Sequence, residues 1–207
     1  MQQKELKKIA LFLFEISFLR KVKREGLKKT GETDLWSVME HSFLTAFLSY
    51  ILAKMEGKKS PERLLKIILM ALFHDFGEAR VGDRDMVQSI YSKKEDEIEA
   101  FFNQIENLPS FLKEEMKEIY QEYSSCKTED FKIVNDADKL SLFIEVREIY
   151  RKNPSEYQKW LDYIKKKLLF TRSAKKLAKI IEKASPLSWW REIPQIKKEI
   201  KNLSQKT

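Results

Sequence analysis

The sequence of 207 residues contains only two histidines, and both interrupt an apolar helical pattern. His41 lies in a stripe with Leu44 and Leu48, and His74 continues the stripe of Ile67. Both imidazoles are therefore expected to point inward, where their ring nitrogens need partners. A lone inward histidine usually serves as a hydrogen-bonded core residue, so its neighbours decide between that role and metal binding.

Carboxylates accompany these histidines at helical spacing. Asp75 follows His74 directly, and Glu78 comes four residues after His74, which is about one helical turn. Asp136 and Asp138 lie in an otherwise apolar stretch, where a buried carboxylate is costly without a cation or hydrogen bonds. Asp138 shares a stripe with apolar residues and is predicted to point inward, whereas Asp136 is predicted to be more peripheral.

Two imidazoles and two carboxylates, with positions left open for water, favour a particular kind of cation. This donor set suits Mn, Co, Fe, Ni or Zn, and it suits the all-oxygen preference of Mg or Ca less well. The predicted cofactor is therefore one divalent transition metal.

The elements that must position these residues are predicted to be helices. Only five Gly and five Pro occur, and apolar residues recur at helical spacing through most of the chain. The predicted helices span about 3–22, 37–56, 61–78, 92–107, 110–125, 130–151, 155–168, 172–184 and 194–203. The predicted fold is an all-α, single-domain helical bundle.

Composition limits the cellular setting. The single cysteine, Cys126, has no second cysteine with which to form an internal disulfide. No apolar stretch approaches the ~20 residues that span a bilayer, so a cytoplasmic protein without membrane contact is expected. The net charge is +8, with basic ends and an acidic centre. This pattern fits either a cation site that attracts an anionic substrate or simply solvated lysine-rich helices.

Three segments resemble, in order, the signatures of HD-domain hydrolases. They are SVMEHS around His41, HDFGEARVGD from His74 to Asp83, and NDADKL around Asp138. More narrowly, they resemble the 5′-deoxynucleotidase branch, and the basic segment LRKVKREG near the first helix is also similar. The resemblance covers about residues 6–151 of a predicted single domain, 1–207, and residues 152–207 form a helical extension that is only loosely similar.

The resemblance implies a role for each matching residue. His41, His74, Asp75 and Asp138 would be the metal ligands, with Asp75 and Glu78 as catalytic residues, because Glu78 matches the acidic residue that positions or deprotonates water. Arg24 would hold the phosphate, and Asp83 would lie near the sugar. Some relatives have Trp directly after this arginine; here Glu25 and Gly26 follow, and Trp36 could substitute. Lys139 is a further candidate phosphate contact or, alternatively, a solvated helix residue.

The resulting prediction is a phosphomonoesterase that releases phosphate from (deoxy)nucleoside 5′-monophosphates. The absence of a third histidine favours one metal and a monoester over dinuclear phosphodiester cleavage. One alternative is an HD-type phosphohydrolase that acts on another phosphate ester or a nucleoside polyphosphate. Another is a metal-containing helical protein that binds nucleic acid, but no nucleic-acid motif supports it. A homodimer is also expected, with aromatic residues on the outer helices and apolar segments such as Ile9 to Phe14 as its candidate interface; the alternative is that these residues belong to the buried core.

Overall fold

The computed structural model describes residues 2–28, 33–85, 87–91, 93–149 and 154–204. Within these residues the regular elements are helices, and β-type pairing is limited to one isolated bridge between Lys23 and Ser37. The all-α, single-domain prediction is confirmed. The twelve α-helices of the described residues are α1 Gln3–Ser17, α2 Glu25–Lys28, α3 Val38–Met55, α4 Pro61–Phe73, α5 Glu78–Val81, α6 Gln88–Tyr91, α7 Lys94–Ile105, α8 Ser110–Ser125, α9 Glu129–Ile149, α10 Pro154–Tyr163, α11 Arg172–Lys183 and α12 Pro194–Ser204.

Shorter turns complete the architecture. A 3₁₀ turn, Phe18–Arg20, follows α1, another spans Trp189–Glu192, and a π-helical turn, Ile164–Leu168, continues α10. The predicted helix starts and ends at residues 92 and 151, and the predicted division at 151/152, lie outside the described residues. No helix in the part of the chain described here is both long enough and apolar enough to cross a membrane.

The centre of the fold is the packing of α3 against α9 and α4. Residues with no solvent exposure, such as Leu52 of α3, Ile67 of α4 and Val134 of α9, join one apolar core. Removing such side chains from water supplies much of the driving force for folding, at about 25 cal/mol per Å² of apolar surface. The same three helices carry both histidines and Asp138, so the core packing also brings the candidate ligands together.

Local sequence signals fix where α3 and α4 begin. The Ser37 hydroxyl accepts a hydrogen bond from the Glu40 N–H at 3.2 Å, and the Glu40 carboxylate accepts one from the Ser37 N–H at 2.6 Å. This reciprocal capping box starts α3 one turn before His41. Ser60 caps α4 in a similar way, with Pro61 at the first helical position.

The predicted continuous helix 61–78 is wrong in one respect. Helix α4 ends at Phe73, and the chain turns before α5 begins at Glu78. In this turn the Phe76 N–H donates to the Phe73 carbonyl at 3.1 Å, and the Glu78 N–H donates to the Asp75 carbonyl at 3.0 Å. These hydrogen bonds span three residues rather than four, so the backbone is wound more tightly than in an α-helix.

Candidate metal centre

The two histidines meet where α3 and the end of α4 pack together. His41 has no exposed surface and His74 is 1% exposed. Their ring centroids lie 5.5 Å apart. The predicted inward orientation of both side chains is confirmed, because the apolar stripes on which they lie form the core contact between the two helices.

Carboxylates converge on this histidine pair. One donor atom from each of His41, His74 and Asp75 lies within 4.8 Å of the other two. The Oδ2 atom of Asp75 is 3.1 Å from His74 Nε2 and 3.6 Å from His41 Nε2. Asp138 reaches the group from α9, with its Oδ1 atom 3.3 Å from His41 Nε2. The structure thus brings together all four residues that the sequence predicted as ligands.

The state of the imidazoles suits binding to a cation. His74 Nδ1 lies 2.7 Å from the Ala71 carbonyl, which can only accept, so this nitrogen carries a proton and Nε2 faces the cluster. Burial alone would lower the pKa of His74, but the carboxylate of Asp75 beside Nε2 outweighs it and raises that pKa. Burial, together with the nearby positive charge of Arg24, lowers the pKa of His41 to about 4. A neutral imidazole whose orientation is fixed by a backbone carbonyl is the form in which histidine binds metals.

Buried polar atoms in the cluster support the same interpretation. Within the described residues, His74 Nε2 and Asp75 Oδ2 are buried and have no hydrogen-bond partner. A buried polar atom without a partner costs about 1 to 3 kcal/mol. A divalent cation would satisfy both atoms, and two imidazoles with two carboxylates form a suitable donor set. The residues present therefore fit a metal ion.

Cationic side chains border the cluster. The Nη1 atom of Arg24 donates to Asp83 Oδ1 at 2.6 Å and lies 3.7 Å from Asp75 Oδ2. Asp83 Oδ2 also accepts from the Glu25 N–H at 2.6 Å. Lys139 Nζ donates to Asp138 Oδ2 at 2.7 Å, so this side chain contacts the cluster instead of lying free in solvent. Positive charge thus stands directly beside the candidate ligands.

A glycine directs Asp83 toward Arg24. Gly82, at the end of α5, has a φ of 78°, a backbone conformation that side-chain-bearing residues rarely adopt. After this residue the chain leaves α5, and Asp83 is buried against Arg24. The GD pair therefore has a structural reason: the glycine makes the turn, and the aspartate holds the arginine.

Glu78 lies at the edge of the cluster beside Asp75. Its Oε2 atom is buried without a hydrogen-bond partner among the described residues. Burial and the nearby charges of Asp75 and Asp83 raise the pKa of Glu78 well above its usual value. One oxygen each from Asp75, Glu78 and Glu97 lies within 4.8 Å of the others. Glu78 is thus close enough to act on a molecule bound at the cluster.

Trp36 is linked to Arg24 through the backbone. The Trp36 carbonyl accepts from the Arg24 N–H at 3.1 Å, next to the bridge between Lys23 and Ser37. On its other side, the Trp36 N–H donates to Glu145 Oε1 at 3.2 Å. The structure therefore positions Trp36 beside Arg24. Trp36 is not among the described residues that line the cavity next to the cluster.

Glu145 is a residue that the sequence interpretation missed. It has no exposed surface, its Oε2 atom has no hydrogen-bond partner in the described chain, and burial raises the pKa of its carboxyl to about 7. A signal was present, because Glu145 follows Asp138 by seven residues and so occupies the same helical face two turns later. Glu97 gave no such signal, since it lies in an acidic segment typical of a solvated helix.

Asp136 is peripheral to the cluster but is not at the surface. It has no exposed area, and its two carboxylate oxygens accept from the N–H groups of Phe170 and Thr171, both at 2.7 Å. Thr171 in turn caps α11. Asp136 thus fixes the start of α11, which explains how a second buried carboxylate in this stretch is stabilised.

A cavity of about 350 Å³ opens next to the cluster. Its lining includes Arg24, Asp83 and Lys139 together with apolar residues of α9, α10 and the π-helical turn. Pockets of roughly this size or larger, apolar with a few polar groups, are typical of small-molecule sites. Three other surface depressions lie away from these residues, so the chemistry and the available space coincide only here among the depressions described.

An α-helical domain in which two histidines and two aspartates converge from α3, α9 and the turn after α4 defines a metal-binding HD-type protein. The family comparison agrees: residues 16–184 match the HD domain, and the chain belongs to the HD-domain family. Within that family, a 5′-deoxynucleotidase of Dictyostelium discoideum is 31% identical over 147 residues, covering 68% of this chain and 76% of that protein. A 5′-deoxynucleotidase of Schizosaccharomyces pombe is 32% identical over 151 residues, covering 70% and 73%.

A solved structure supports the fold. A conserved hypothetical protein from Pyrococcus furiosus matches with a TM-score of 0.65 and 25% identity, covering 84% of this chain and 99% of that one. The match extends over nearly the whole of the archaeal protein, so the two chains share one helical arrangement. The predicted family resemblance is confirmed.

Proposed function

We propose that this chain is a metal-dependent 5′-nucleotidase that hydrolyses (deoxy)nucleoside 5′-monophosphates to a nucleoside and phosphate. The observation that carries the proposal is the buried group of His41, His74 and Asp75, with Arg24 and Lys139 beside it at the cavity. Membership of the HD-domain family, and the activity named for the Dictyostelium and Schizosaccharomyces relatives, support the same substrate class.

The proposed metal ligands are His41, His74, Asp75 and Asp138. Their nitrogen and oxygen donors favour Mn, Co, Fe, Ni or Zn over Mg. When bound, a divalent ion supplies two effects: it polarises the phosphate and lowers the pKa of a coordinated water.

Glu78 is the proposed proton acceptor. In hydrolysis, a water oxygen forms a bond to phosphorus and the water gives up a proton, the bond between phosphorus and the 5′-oxygen breaks, and that proton is returned to the 5′-oxygen, which leaves as the nucleoside hydroxyl. The buried Oε2 atom of Glu78 lies near Asp75 and has no partner among the described residues, so it is available to orient that water and take its proton. Asp75, the second proposed catalytic residue, is a metal ligand that lies close to Glu78 and to both histidines.

Arg24 and Lys139 are the proposed phosphate contacts. Both are held by carboxylates, Arg24 by Asp83 at 2.6 Å and Lys139 by Asp138 at 2.7 Å, so their charges are fixed in place before a substrate binds. Fixed cations stabilise the negative charge that develops on the phosphoryl oxygens without reorganising. Asp83 and Trp36 are the proposed neighbours of the sugar, since both are bonded to Arg24.

The test is phosphate release from a panel of ribo- and deoxyribonucleoside 5′-monophosphates, with 3′-monophosphates and triphosphates as controls. The protein is first treated with a chelator, and Mn, Co, Zn or Mg is then added back separately. Release that requires metal and is confined to 5′-monophosphates is the expected result. Release from triphosphates or from non-nucleotide esters instead would replace the proposed substrate. No release with any metal would overturn the activity.

We further propose that the chain forms a homodimer in the cytoplasm. Two apolar stripes are solvent-exposed, at helical spacing on α1 with its 3₁₀ turn and on α3: Leu11, Phe14 and Phe18, and Phe43, Phe47 and Tyr50. The 3₁₀ turn that carries Phe18 contacts α3. An exposed apolar patch of this kind favours a protein interface. The single exposed cysteine, Cys126, suits a compartment in which thiols stay reduced.

A further inference from the structure

The cavity beside the cluster has two chemically different walls. Charged residues, Arg24 and Lys139 among them, form one part of its lining, the charged wall. Another part, the aromatic wall, is apolar and aromatic and is formed by Leu142 of α9 with Trp160 and Tyr163 of α10. The proposed phosphate chemistry uses only the charged wall, so the aromatic wall has no role in it.

The geometry of α10 explains how this wall arises. Trp160, Tyr163 and Ile164 stand at positions i, i+3 and i+4, so they share one helix face. Ile164 has no exposed surface and anchors that face in the core, while Tyr163 remains 45% exposed. The π-helical turn begins at Ile164, and such turns often occur at functional sites. Core packing thus holds one end of the face, and the aromatic residues beside it line the open cavity.

We infer that Trp160 and Tyr163 form the nucleobase platform of the site, so that a nucleoside monophosphate binds with its phosphate at Arg24 and Lys139 and its base against these rings. This inference rests on the proposed function and adds the part of the substrate that the phosphate chemistry leaves undefined. A nucleotide is anionic at one end and aromatic at the other, and the 350 Å³ cavity offers a matching surface for each. Purines have a larger stacking area than pyrimidines and are expected to bind more tightly.

The test is calorimetric binding to the metal-loaded protein with two probes. The first is the non-hydrolysable 5′-methylene phosphonate analogue of deoxyadenosine monophosphate, and the second is inorganic phosphate. Stacking on an aromatic side chain is worth about 1 to 3 kcal/mol per base. Trp160→Ala is therefore expected to raise the Kd of the analogue by about tenfold, since 1.4 kcal/mol is about tenfold, and to leave the Kd of phosphate within about twofold.

Three further variants keep the result interpretable. Trp160→Phe should bind the analogue almost as tightly as the wild-type protein does. Tyr163→Ala should bind the analogue more weakly than wild type, and this variant leaves the more buried Trp160 in place. Trp189→Ala is the matched control, because Trp189 is 69% exposed and does not line the cavity. Should Trp160→Ala fail to fold, the Trp160→Phe and Tyr163→Ala pair decides the question.

Two results would overturn the inference. One is unchanged binding of the analogue to both Trp160→Ala and Tyr163→Ala, and the other is an equal loss of affinity for the analogue and for phosphate. Failure of the proposed function has a different signature. In that case the wild-type protein would release no phosphate from deoxyadenosine monophosphate, while its binding of the analogue would still depend on Trp160.

Discussion

The cluster contains two carboxyl groups whose surroundings shift their pKa values in opposite directions. Burial and the charges of Asp75 and Asp83 raise the pKa of Glu78. Asp138 is also desolvated, yet its contacts with Lys139 and His41 hold the pKa of its carboxyl well below the usual value. Such a separation commonly distinguishes a proton-transferring group from a permanently ionised one. It supports Asp138 as a ligand and Glu78 as the group that handles a proton.

Glu78→Gln should separate metal binding from turnover. Glutamine keeps the size of the side chain but cannot accept a proton, so kcat for phosphate release should fall by about 10² to 10⁴. The metal content, measured by elemental analysis after dialysis, should match that of the wild-type protein. Glu99→Gln is the control, since Glu99 is exposed on α7. A variant with the wild-type rate would remove Glu78 from the mechanism.

Glu145→Gln should change how stability depends on pH. Burial raises the pKa of Glu145 from its ordinary value of 4.5 to about 7 in the folded protein. The folded state therefore holds a proton that the unfolded state has lost between these pH values, and stability falls as the pH rises from about 4.5 to 7. Each pKa unit corresponds to about 1.4 kcal/mol.

The amide of glutamine does not ionise, so its burial does not lower the stability of the fold as the pH rises. Between pH 5.5 and pH 8, the unfolding free energy of Glu145→Gln should therefore rise relative to wild type by about 2 kcal/mol, measured by urea denaturation at both pH values. Glu118→Gln, at an exposed site on α8, should show no such change. A difference from wild type that is the same at both pH values would contradict the expectation.

At the scale of the elements, the turn between α4 and α5 decides the shape of the site. Gly77 lies against α7 so closely that an added Cβ would stand 2.5 Å from the Glu97 carbonyl oxygen. The close approach brings Glu97 near Asp75 and Glu78. Glycine is therefore required here for contact between elements, and its own backbone angles, φ −54° and ψ −29°, are ordinary.

Gly77→Ala should accordingly destabilise the fold and disturb the cluster. The methyl group would meet backbone, which cannot rotate away, so a loss of about 1 to 3 kcal/mol in unfolding free energy is expected, together with weaker metal binding. Urea denaturation and equilibrium dialysis with Mn would measure the two effects. Gly26→Ala is the control, because its Cβ would make only an ordinary 3.6 Å contact with Asp85 Cβ. Equal stability of the two variants would refute this account.

At the scale of the whole molecule, α1 and α3 both carry exposed apolar side chains. Phe43 is 73% exposed and Phe47 57% exposed, although the helices α9 and α4 pack against α3 at the centre of the fold. A helix that buries one face in the core and exposes phenylalanines on another has two interaction surfaces. The second surface has no partner within the described part of the chain.

The double variant Phe43→Glu, Phe47→Glu should convert a dimer into a monomer. Charges placed in an apolar interface lose hydration without gaining partners, so association should weaken by at least a hundredfold while the monomer still folds. Sedimentation velocity at several concentrations would measure the association, and circular dichroism would check the fold. Phe111→Glu, at a residue 64% exposed on α8, is the control. A wild-type protein that sediments as a monomer would refute the dimer.

The sequence by itself determined the helical class and the residue types of the candidate site. Periodicity is local, so the inward positions of His41, His74 and Asp138 could be read from their neighbours. The signature segments then supplied the family, because their residues and order are specific even without a structure. The position of Asp75 beside His74 also needed no tertiary information, since the two are adjacent.

Only the tertiary structure decided which distant residues contact one another in the site. Glu145 and Trp36 are 109 residues apart and joined by one hydrogen bond, and Arg24 and Asp83 are 59 apart. The aromatic wall depends on how the segment after residue 153 packs over α9. Such contacts arise from the collective burial of apolar faces, which local patterns do not encode. The end of α4 at Phe73 has the same origin, because close packing of Gly77 against α7 outweighs the local preference for a continuous helix.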